Sequence, residues 1–112
     1  MTNKVFEMFW MNGTHRMAER SSLKAAIRMA VKDEAEGRQA MTRIAVGIDE
    51  GAWREVISHS DIWDAAMAFE RAHTKRSLFG GDAELQSSAM RKWQDFIAKA
   101  KAVAAAEGIA WE

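Results

Sequence analysis

The chain predicts an α+β fold of order ββα-ββα-α, a four-stranded antiparallel sheet built from two hairpins, with helices packed on one face and a long C-terminal helix. Three observations carry that expectation. Two-residue loops ending in Gly, Asn12-Gly13 and Glu50-Gly51, each separate two strand-like runs. A serine and then apolar residues at helical spacing follow each hairpin. A third and longer helical pattern follows Gly80-Gly81. At 112 residues the chain reads as one domain. It divides into a first ββα unit at 5–37, a second at 42–79 and the last helix at 82–107.

The first hairpin is set by Asn12-Gly13, because both residues tolerate the positive φ of a type I′ turn. That loop pairs Met11 with Thr14 and Trp10 with His15, and the register sorts side chains by face. One face carries Phe6, Met8, Trp10, His15 and Met17. Being the more apolar, it is expected to meet the core. The other carries Val5, Glu7, Phe9, Met11, Thr14, Arg16 and Ala18 and is expected to lie open. Ser21 or Ser22 then caps a helix whose buried stripe is Leu23, Ala26, Ile27, Ala30 and Val31, with Gly37 as its stop.

In the second hairpin a Glu50-Gly51 loop pairs Ile48 with Trp53 and Ile44 with Ile57. Ile44, Val46, Ile48, Trp53 and Ile57 then share a core face. Glu55 falls on the same face, a flaw that a β-bulge or a place at the sheet margin would resolve. Ser60 is the expected cap of the second helix, with Asp61 and Asp64 near its positive end. Its stripe is Ile62, Ala65, Ala66, Phe69 and Ala72 or His73. Asp82 is the candidate cap of the third helix, whose stripe is Leu85, Ala89, Trp93, Phe96, Ile97, Ala100 and Ala104. Gly108 ends it, before a tail of Ile109, Ala110, Trp111 and Glu112.

Composition removes several function classes. There is no cysteine, hence no thiol nucleophile, thiolate site or disulfide. No apolar run reaches the roughly 18 residues of a membrane span, and the N-terminus has no secretory pattern, so the chain is expected to be cytoplasmic and away from membranes. Sixteen basic and sixteen acidic residues cancel, which disfavours a broad phosphate footprint.

Catalytic and metal-binding patterns are weak. Glu70 and His73 share a helix face at i, i+3, but the second Glu-x-x-His of a carboxylate-bridged site is missing. Asp61 and Asp64 suit the helix dipole better than acid–base work. Asp49-Glu50-Gly51 lacks the ligand series of a calcium loop. The glycines have no phosphate-loop spacing, and no serine sits in a nucleophile elbow. His59-Ser60-Asp61 reads as a polar strand-to-helix turn. No catalytic residue, metal site or cofactor is therefore expected.

What remains is binding. The expected function is a non-enzymatic protein-binding module, an inhibitor or adaptor in size and style like those of phages and mobile elements that act on host complexes. Its partner is another protein or a second copy of itself. The expected surface is Phe9, Met11 and Arg16 on the open sheet face, with Trp111. The alternative is a nucleic-acid-binding regulator using Arg71, Lys75, Arg76, Arg91 and Lys92 on the last two helices.

Overall fold

A computed structural model describes residues 3–37, 40–49, 51–73 and 82–112. Its elements run β1 (Lys4–Met11), β2 (Thr14–Arg20), α1 (Leu23–Glu36), β3 (Ala40–Asp49), β4 (Ala52–Ile57), α2 (His59–His73) and α3 (Asp82–Glu107). The sheet is antiparallel in the order β2-β1-β3-β4, so the two hairpins join through β1 and β3. This is the expected α+β order. Glu50 and Gly80-Gly81 lie outside the described residues.

The first hairpin has the expected register, Met11 with Thr14 and Trp10 with His15. Asn12 and Gly13 have φ of 54° and 74°, the signature of the type I′ turn. The helices pack on the face expected to lie open, although Phe6 and Met8 of the other face are buried as expected. Val5 pairs with Val46 and Glu7 with Ile44, and directly paired residues project to the same side. Val5, Ile44, Val46 and Ile57 form one buried cluster with Leu23, Ala26, Ile27, Ile62, Ala66, Ala100 and Ala104 from the helices. The helices therefore cover the Val5-Glu7-Phe9 side. Phe6, Met8, Trp10, His15 and Met17 take the side without helices.

The physical reason lies in β3. Its Ile44 and Val46 make the apolar stripe that packs against the helices, and pairing with β1 brings Val5 and Glu7 along. The buried acid that results is accommodated locally. Glu7 has no exposed surface and meets Arg20 of β2 at 2.5 Å.

The second hairpin keeps the Ile44–Ile57 pair but not Ile48–Trp53. Asp49 pairs with Ala52 and Gly47 with Trp53, leaving Ile48 as an extra residue. Ala45 pairs with Glu55, leaving Val56 as a second one on the opposite strand. These two bulges shift three pairs by one position and then restore the register. Trp53 and Ile48, expected in the core, are 41% and 48% exposed. Glu55 leaves the core face and meets Arg43 at 3.7 Å. A third bulge sets Met41 and Thr42 opposite Phe9, with Met41 in the left-handed region at φ 57°.

Ser22 caps α1, its Oγ accepting from the Ala25 amide at 3.1 Å. The C-terminal tail completes that cap. Ala110 and Trp111 carbonyls accept from the Leu23 and Lys24 amides at 2.9 Å each, so helix donors that would otherwise lack partners are satisfied. At α2 the cap is Ser58, not Ser60: its Oγ accepts from Asp61 and its carbonyl from Ile62. Ser60 is in the first turn instead, 3.2 Å from Ser58 Oγ. Phe69 is 36% exposed rather than buried, and its ring stacks on His73 and meets Trp93 edge-on.

Candidate protein-binding surface

The face of the sheet opposite the helices is built by register. On β1 it carries Lys4, Phe6, Met8 and Trp10, and on β2 it carries Glu19, Met17 and His15 as their partners. Ala45, Arg43 and Gly47 of β3 continue it, and Glu55 and Trp53 of β4 complete it through the bulges. A diagonal of apolar side chains therefore runs from Trp10 through Met17, Met8, Phe6 and Ala45 toward Trp53. Ion pairs flank the diagonal, Lys4 with Glu19 at 3.9 Å on one side and Arg43 with Glu55 on the other. Phe6, Met8 and Ala45 are buried among their neighbours, Trp10 and Met17 are half-buried, and Trp53 is exposed. His15, expected toward the core, is exposed here with its ring centroid 4.1 Å from that of Trp10.

The expected site residues fall elsewhere. Phe9 lies on the helix side of the sheet and is only 8% exposed. Met11 is half-buried and Arg16 exposed on that same side, at the end of the first hairpin. Trp111 is half-buried against the core, with the Lys101 ammonium 5.7 Å from its ring centroid. It closes the tail over α1, far from the open face of the sheet. The four residues thus do not form one surface.

Arg71, Arg91 and Lys92 are exposed on α2 and α3. Lys75 and Arg76 lie outside the described residues. Arg71 and Lys92 line a groove of about 730 Å³ beside β4, together with Lys99, but Asp61, Asp64 and Asp95 line it too. Three carboxylates among three cations leave little net field for phosphate.

His59 Nε2 lies 3.2 Å from Glu34 Oε1, tying α2 to α1. His73 Nδ1 lies 2.8 Å from the Phe69 carbonyl of its own helix. No group of three His, Cys, Asp or Glu side chains with metal-binding geometry occurs among the described residues.

The buried acid is the polar centre that sequence reasoning missed. Burial pushes the Glu7 carboxyl up to about 7, the neighbouring Asp33 of α1 adds to the rise, and Arg20 works against it. Asp33 is itself buried, at 8% exposure. The signal was available: the Asn12-Gly13 register sets Glu7 opposite Ala18, with Arg20 two residues along the same face. What it needed was the knowledge that this face is covered.

Comparison with protein-family models, with curated proteins and with solved structures finds no match to this chain. Among the described residues no helix is long and apolar enough to cross a membrane.

Proposed function

We propose that this domain is a non-enzymatic protein-binding module, an inhibitor or adaptor, and that its contact surface is the open face of the sheet. The observation that carries this reading is the Trp10–Met17–Trp53 diagonal on the side of the sheet that no described helix covers, where Trp53 is exposed and Trp10 and Met17 are half-buried. Apolar patches rimmed by charge mark partner surfaces. Trp and Met are enriched in such contacts, and Trp in particular concentrates binding energy. The charges on either side lie within ion-pair distance of one another, Lys4 with Glu19 and Arg43 with Glu55.

The nucleic-acid reading has weaker support, since Asp61, Asp64 and Asp95 share the groove with Arg71 and Lys92. Site-specific photo-crosslinking tests the proposal. A crosslinker at position 17 or 53 is expected to capture one discrete protein from lysate of the source cells, while one at Arg91 on α3 captures none. Capture at Arg91 alone, or of nucleic acid at Arg91 that disappears with added salt, would sink the proposal in favour of the alternative.

A further inference from the structure

A second feature, independent of the sheet face, lies on the far side of the molecule. A groove of about 670 Å³ runs between α1 and α3 over α2. Ile27 and Val31 of α1 and Phe69 of α2 line its bottom, Trp93 and Ile97 form the α3 wall, and Trp111 closes one end. The α1 wall is different in kind. Lys24, Arg28 and Lys32 recur every four residues, which places them in a row along one ridge of the helix. All three are exposed, and the row is about 12 Å long at 1.5 Å per residue. Lys101 stands on the opposite rim, and Glu36 and Glu70 mark the far end.

The chain's own tail already uses one turn of this groove. Trp111 packs against the apolar core while Glu112 accepts from Lys24 Nζ at 2.9 Å. An apolar group thus lies low in the groove and a carboxylate on the ridge above it. Lys24 and Lys101 hold the Glu112 carboxyl below its ordinary range, Lys24 chiefly by its hydrogen bond. Arg28 and Lys32 continue the ridge with no carboxylate partner among the described residues.

We propose that this groove docks an acidic amphipathic α-helix of a partner protein, with apolar side chains over Ile27, Val31, Phe69 and Trp93 and a row of Asp or Glu facing Arg28 and Lys32. Helix-in-groove recognition uses anchors at i, i+3 or i+4, and i+7. The 14 residues of α1 give a wall about 21 Å long, enough for three to four turns. The row of cations on the α1 edge, against Lys101 on the other rim and Glu36 and Glu70 at the far end, fixes the direction and register of the docked helix.

A displayed library of helical peptides with randomised faces, selected on the full chain, tests this. Selected peptides are expected to carry an apolar stripe edged by Asp or Glu. They should shift the indole N–H resonances of Trp93 and Trp111 while leaving Trp53 unmoved. Their affinity should fall at least tenfold in the R28E/K32E double variant, and reselection on that variant should favour Lys and Arg. Absence of any enriched stripe, a basic edge on the wild-type chain, or unchanged affinity for the double variant overturns the proposal. Self-association of the chain that the double variant abolishes would overturn it in favour of a second copy as the occupant. Since Trp53 is read separately, failure here leaves the sheet-face reading untouched.

Discussion

Glu7 is the residue whose environment departs furthest from what its chemistry prefers. Its carboxyl titrates near 7 rather than at the ordinary 4.5, so the folded state holds its proton more tightly than the unfolded chain does. The contribution to stability is full below about pH 4.5 and is lost as pH rises through about 7. Wild-type protein is expected to lose on the order of 3 kcal/mol over that window relative to Glu7→Gln, whose urea midpoint should vary less with pH. Parallel pH profiles for the two proteins would refute this account of the site. Gly47 gives a second residue-scale prediction. A Cβ there would lie 2.0 Å from the Ala52 carbonyl oxygen and 2.7 Å from Trp53 Cα, both backbone atoms. Gly47→Ala is expected to cost about 2 kcal/mol or more in chemical denaturation, because the bulged hairpin must open to admit it. Neither residue stands out from its type: a Glu in a strand and a Gly in a strand are common. Both acquire meaning only from which side the helices cover and where the bulges fall.

Elements were more legible than faces. Asn12-Gly13 fixed the first register because turn chemistry is local, and the α1 cap was narrowed to Ser21 or Ser22 for the same reason, Ser22 being the one that caps. The sidedness of the sheet is not local. Phe6, Met8 and Trp10 outweigh Val5 and Glu7 in apolarity, yet β3 decides which row meets the helices. The bulges left one mark in the sequence, Glu55 on the wrong face, but their positions at Ile48 and Val56 were hidden in a short alternating run. They explain why Glu55 looked misplaced and why Arg54, now paired with Val46, reaches the helix side to make a bidentate ion pair with Glu107 of α3. The tail is an element in its own right. Residues 109–112 supply two carbonyl caps to α1, the buried Ile109 and the Lys24–Glu112 pair. Deleting them should lower unfolding free energy by about 3 kcal/mol, from two lost hydrogen bonds and the burial of Ile109 and Trp111. A thermal melt that left the midpoint within a degree would show that α1 does not depend on the tail.

As a whole the molecule is a slab of 51 × 34 × 18 Å. The short axis is that of a single sheet–helix pair, and among the described residues the helices pack on one face of the sheet. The radius of gyration of 15.0 Å exceeds the roughly 13 Å of a compact chain of this length. α3 accounts for the difference, since its 26 residues span about 39 Å. Two tryptophans are strongly exposed on this slab, Trp53 toward the open sheet face and Trp63 on α2, and they separate the competing readings. Once a partner has been captured, calorimetric titration against Trp53→Glu and Trp63→Glu is the direct measurement. The sheet-face account predicts that Trp53→Glu weakens binding at least tenfold while Trp63→Glu stays within about twofold of wild type, the behaviour of a central anchor against a bystander. Loss of binding in Trp63→Glu with Trp53→Glu unaffected would contradict it.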